Sequence, residues 1–152
     1  MVTNLGMEKG VKIMPEKTLR VTKEAAEHSK VTRSLKAKLR DYFSTPTRQY
    51  LVSRDLLVRG TYRPDVSVFE KKPGRRPVLI QVHEVETETT INPAEAKAQW
   101  LPYSKLGVDF YLYVPKGNCD FARFLCERIG IEVKEFQYFY SVGRNIYIRR
   151  CS

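Results

Sequence analysis

Apolar and polar positions change their period several times along this chain, and the changes outline its elements. From Thr22, the stretch TKEAAEHSKVTRSLKAKLRDYF sets Ala25, Val31, Leu35, Leu39 and Phe43 at helical spacing among strong helix formers. It predicts one helix, or two short ones broken near Ser29, with Thr22 and its near neighbours only loosely matching a capping box. After a turn at Ser44 to Pro46, QYLVSRDLLVRGTYRPDVSVFE reads as strand, turn and strand, with Val66, Val68 and Phe69 supplying β-branched and aromatic content. KKPGRR is a turn. PVLIQVHEVET then gives a nearly continuous apolar run up to Val82, the pattern of a central strand buried on both faces, so Val78, Leu79, Ile80 and Val82 are expected in the core beside the Asp65 strand.

Asn92 and Pro93 form a recognised helix start and Gly107 a recognised stop, which predicts a helix up to Leu106. VDFYLYVP follows as a strand, CDFARFLCERIG as a helix ended by Gly130, IEVKEFQYFY as a strand, and NIYIRR as a last edge strand. Residues 1–17 lack apolar periodicity and read as a flexible leader, leaving 18–152 as one domain. The order of elements is that of an α/β sandwich, a central mixed sheet flanked by helices.

Composition sets the limits of this reading. A chain of 152 residues, 42% of them hydrophobic, builds one ordinary core. No run approaches the roughly 18 apolar residues of a membrane span, so a soluble protein with no membrane insertion is expected. Residues 1–14 lack the apolar stretch of a secretory signal, which makes the cytoplasm the expected compartment. Cys119, Cys126 and Cys151 are odd in number and show no paired spacing, so reduced thiols are expected.

The net charge of +10 is uneven: residues 1–60 hold 13 Lys and Arg against 6 Asp and Glu, and residues 61–152 hold 14 against 11. Such a basic field attracts polyanions by counterion release, which puts nucleic acid first among partners and an anionic membrane surface second. Lys30, Arg33, Lys36, Lys38 and Arg40 on the first helix are the candidate phosphate contacts, joined by Arg63. A plain solvated helix face explains the helical set equally well.

Arg63, Pro64 and Asp65 at the start of one strand, a basic glycine turn over residues 71–76, and IQVHEVET on the next strand resemble the PD-(D/E)xK nuclease superfamily, with its restriction-endonuclease-like fold. The resemblance covers about residues 22–139. It implies a metal-dependent nuclease, with Asp65 matching the first acid of the motif and Glu84 the second, and with Mg²⁺ or Mn²⁺ as cofactor. Carboxylates on adjacent strands suit a hard cation, which lowers the pKa of the attacking water and neutralises charge developing on the phosphate. Gln99 and Tyr103 form a Q-x-x-x-Y pattern similar to the extra motif of the RecB-like branch, and a spacing of four places both on one helical face. DNA is expected ahead of RNA, and a homodimer stays open because many nucleases of this fold dimerise.

One position departs from the pattern. Glu86 stands where the family usually has Lys, although period-two geometry keeps it on the face of Glu84 and so makes it a third candidate ligand. Lys97 and Lys105 lie off the face of Gln99 and Tyr103 and offer no substitute. Some replication-relaxation proteins of mobile elements look similar, with an acid at that position. A catalytically inactive module that binds nucleic acid or a protein, as in mobile-element or plasmid handling, is therefore the alternative. Glu24 or Glu27 is a weaker candidate ligand, and Glu88 lies just past the strand. His83 points away from Glu84 and is expected to be packed or hydrogen-bonded; His28 sits in a polar helix without an evident role. For Trp100, Tyr103, Tyr111 and Tyr113, core packing outweighs base stacking.

Overall fold

The computed structural model describes residues 16–152. Helix α1 (Glu16–Tyr42) runs without a break, and Ser29 lies within it, its carbonyl accepting from the Thr32 hydroxyl at 3.1 Å. The expected leader falls outside the described residues for positions 1–15, and residues 16 and 17 are already helical. Strands β1 (Gln49–Arg54), β2 (Val66–Lys71), β3 (Val78–Val85), β4 (Asp109–Pro115), β5 (Glu135–Val142) and β6 (Asn145–Arg150) join one sheet in sequence order. The pairs β3–β4 and β4–β5 are parallel and the others antiparallel, so the fold is α/β with a mixed sheet.

Strand alternation divides the core in two. Val66, Val68, Val85 and Tyr113 pack with Val31 and Leu35 of α1. Val82, Phe110, Leu112 and Val114 point the other way, against Trp100, Tyr103 and the Ala122, Leu125 and Cys126 side of α4 (Cys119–Ile129). Gly130, at φ 83°, ends α4 in the left-handed conformation that favours glycine, its N–H donating to the Cys126 carbonyl.

Burial of β3 corrects one expectation. Val82 is fully buried, but Val78 is 52% exposed and Leu79 and Ile80 are half-buried. The reason is register: β4 pairs with β3 only from Gln81 to Val85, so the first part of β3 has β2 as its one partner strand.

The expected helix from Asn92 to Leu106 is three pieces: α2 (Pro93–Glu95), a π-turn (Ala96–Trp100) and α3 (Leu101–Ser104). The Asn92 side chain caps it by accepting the Glu95 N–H. Pro102 lacks an N–H and its ring crowds the carbonyl four residues back, and the backbone answers with a wide turn closed by the Leu101 N–H on the Ala96 carbonyl.

The thiol expectation is also corrected. Cys119 and Cys151 form a disulfide, their Cα atoms 6.1 Å apart, with the Cys151 N–H donating to the Phe136 carbonyl and holding it beside β5. Cys126 is free and buried, and burial pushes its pKa up to about 12.

Candidate functional site

The antiparallel register sets Val66 opposite His83, which brings Asp65, one step before β2, across from Glu84. The two carboxylates then interlock with the opposite backbones: the Asp65 N–H donates to Glu84 Oε2 at 3.1 Å and the Val85 N–H to Asp65 Oδ2 at 2.8 Å. Glu86 follows on the same face, where its Oε1 accepts from the Trp100 indole at 2.6 Å. All three acids are buried.

They line a cleft of about 420 Å³ together with Glu24 and His28 from α1, Arg63, and Glu95 and Gln99 from the helical stretch 93–104. His28 reaches the cleft because Glu24, His28, Val31 and Leu35, spaced four, three and four apart, form one stripe of α1. The apolar half of the stripe anchors the helix to the sheet, and the polar half projects past the sheet's end. His28 Nε2 lies 3.1 Å from Asp65 Oδ1.

Electrostatics follow from this crowding. Burial, and then the charges of Asp65 and Glu86, hold the Glu84 carboxyl well above the usual range. Burial lifts Glu86 to about 7, against the opposing hydrogen bonds from Thr90 and Trp100. Glu95 is raised by burial and by Asp65. The hydrogen bond to Asp65 raises His28, with burial opposing.

The arrangement thus brings together Asp65, Glu84, Glu86, Gln99 and Arg63 as the sequence led one to expect. Tyr103 is buried, its ring edge-on to Tyr62 and Phe110 at 6.0 Å from each, and burial followed by the nearby charges of Glu84, Asp65, Glu86 and Glu95 raises its phenol pKa. His28 is an addition, for which the one sequence signal is its place on the Val31–Leu35 stripe. His83 faces away as expected, with Nδ1 2.8 Å from the Tyr113 hydroxyl, Nε2 2.9 Å from Gln81 Oε1 and the ring stacked on Tyr111.

Lys97 and Lys105 are exposed, and no lysine among the described residues lines the cleft. Of the phosphate candidates, Lys30 and Arg33 share a second cavity of about 460 Å³ with Arg144. Lys38 and Arg40 are exposed and Lys36 is half-buried. Helical geometry sets Arg33, Lys36 and Arg40 on one side of the buried stripe and Lys38 on the other, so the basic residues do not make one track.

The carboxylate oxygens are donors of the kind that hard divalent cations take. Each acid already has protein partners: Asp65 is held by the Val85 N–H and His28, Glu84 by the Asp65 N–H, and Glu86 by the indole. Among the described residues no group of three or more His, Cys, Asp or Glu side chains is arranged to hold a metal ion. Comparison of the chain with models of known protein families, with curated proteins and with solved structures finds no significant match in any of the three.

Proposed function

We propose that the protein is a metal-dependent, nuclease-like hydrolase of phosphodiester bonds in nucleic acid, DNA ahead of RNA, built on a restriction-endonuclease-like fold. The observation that carries this reading is the meeting of Asp65, Glu84 and Glu86 from adjacent strands in one cleft, beside Gln99 and Arg63. Asp65 and Glu84 would hold Mg²⁺ or Mn²⁺, with Glu86 as a further oxygen donor once Thr90 and Trp100 yield. A bound ion would supply Lewis acidity at the phosphate and a more acidic water. Arg63, exposed at the cleft, is placed to take a phosphate oxygen. His28 and Arg63 are the basic side chains lining the cleft, which supports the reading by bringing positive charge to it although Glu86 takes the place of the family's lysine.

Among the described residues no helix is long and apolar enough to cross a membrane. The test is cleavage of a panel of DNA and RNA forms with Mg²⁺, Mn²⁺ or EDTA, together with Mn²⁺ calorimetry. Cleavage that needs the ion is the expected result.

A second reading, a non-catalytic nucleic-acid-binding module, is favoured by the indole that occupies Glu86 and by the lack of a lysine in the cleft. Nucleic-acid binding without Mn²⁺ binding or cleavage would establish it instead.

A further inference from the structure

Three tyrosine rings lie in a row along the β5–β6 hairpin. Tyr140 and Tyr147 are cross-strand partners, with ring centroids 5.3 Å apart and planes 17° from parallel. Tyr138 continues the row at 6.2 Å and 22°. Phe139 and Ile148, between them in sequence, turn into the α1 core, which leaves the three tyrosines half-buried on the other face of the sheet's last two strands.

Cations attend this row. Lys116 Nζ lies 5.0 Å from the Tyr140 ring centre, and the Arg149 guanidinium 5.5 Å from that of Tyr147. Glu135, at the start of β5, is paired with Arg150 at 2.9 Å on the other face of the hairpin, and from Phe136 to Ser152 the sequence contains no acidic residue. Arg144, in the turn between β5 and β6, stands at the end of the row, and round the β6 edge it shares a cavity on the α1 side with Lys30 and Arg33. Cross-strand tyrosines alone are explained by hairpin stability. Hairpin stability does not call for an acid-free strip with cations on two of its rings and a further arginine at its end.

We infer that this strip binds single-stranded nucleic acid, with bases stacked on Tyr138, Tyr140 and Tyr147 and phosphates on Lys116, Arg149 and Arg144. Ring faces reach only unpaired bases, since a duplex hides its base faces in the stack, and stacking with little regard to sequence suits a surface that lacks an array of hydrogen-bonding readers. Lys116 and Arg149 rest where bases would lie. An exposed cation–π contact is weaker than a stacked base, so both side chains swing outward to the backbone as the strand binds. The inference rests on the nucleic-acid part of the function proposed above and is independent of the metal.

The test is fluorescence anisotropy in EDTA with labelled oligo(dT), oligo(rU) and a duplex, each about twenty nucleotides long, which exceeds a typical single-strand site. The wild type should prefer the single strands, with the dT and rU arms telling DNA from RNA. Tyr140→Leu and Tyr147→Leu should each weaken single-strand binding about tenfold, the loss of one stacked base, and leave duplex binding unchanged. Tyr147→Phe should bind like wild type. Tyr147→Trp, which keeps an aromatic surface if the leucine variants fail to fold, should show indole emission quenched by oligo(dT) beyond any change in the wild type, whose Trp100 is fully buried. A wild-type preference for duplex, folded leucine variants that bind single strands normally or lose both forms alike, or a Tyr147→Trp variant whose emission ignores the oligonucleotide would overturn the inference. Since EDTA is present throughout, a protein that cleaves with metal yet shows no single-strand preference would keep its active-site reading and lose this one.

Discussion

His83 and Glu84 are consecutive residues of β3, both buried, on opposite faces of the sheet. On the His83 face each ring nitrogen has a partner and the ring has a stacking neighbour; burial lowers its pKa to about 3, so it stays neutral. On the Glu84 face, burial is compounded by two more carboxylates and the groups line a cleft. Burial alone therefore does not mark a working site. A buried group whose neighbours satisfy it is structure, whereas one crowded by like charges at an opening is poised for a cation or a proton.

The sharpest way to break this comparison is to mutate both faces. Asp65→Asn and Glu84→Gln should lower metal-dependent cleavage by more than about 100-fold, since even groups that only orient ligands cost about 10–100-fold. His83→Gln should leave it within a few-fold in the same assay. Nucleic-acid binding by the acid variants should hold or improve, because negative charge near the phosphates is gone.

Stability against pH should separate the faces next. His83 has a folded pKa below its ordinary 6.5, so the unfolded chain takes the proton first, and stability is lost as pH falls from about 6.5 toward 3, on the order of 4–5 kcal/mol in full. Glu86 is raised from 4.5 to about 7, so the folded state holds the proton longer, and stability is lost as pH rises through that window, about 3 kcal/mol. Urea unfolding across pH should show His83→Gln flattening the acid arm and Glu86→Gln the alkaline arm. If Mn²⁺ binds, it should restore the alkaline arm in the wild type.

Trp100→Phe removes the indole donor and leaves a buried carboxylate short of a partner. A loss of about 1–3 kcal/mol is expected in thermal or urea unfolding. Smallest of all, Lys38→Ala and Arg40→Ala should change stability by less than about 0.5 kcal/mol. Each should make the slope of log affinity against log salt shallower by about 0.9 on duplex DNA if its side chain meets a phosphate.

The sheet was legible because alternation and apolar runs are local signals; Asp65 and Glu84 were paired by their resemblance to the nuclease motif, and the bulge between Val68 and Phe69 that sets them across from each other was not legible. His28 was not legible: its contact with Asp65 spans most of the distance from α1 to β2, and only the helical stripe it shares with Val31 and Leu35 hints at where it points. The break in the helix over residues 93–104 was not legible either, since a spacing of four assumes an unbroken α-helix, and Pro102 is the residue that spoils that assumption. The disulfide could not be read from three cysteines, since spacing alone does not choose partners.

The bond between Cys119 and Cys151 closes α4, β5 and β6 into a covalent ring, joined across 32 residues of sequence. Chain-entropy arguments put the effect on the unfolded state at about 3–4 kcal/mol. The ring also bears on assembly. The last strand of the sheet is fastened to the start of α4 and cannot peel away from β5 to exchange with another copy; reduction would open that route, and the same open edge would then favour strand-swapped dimers.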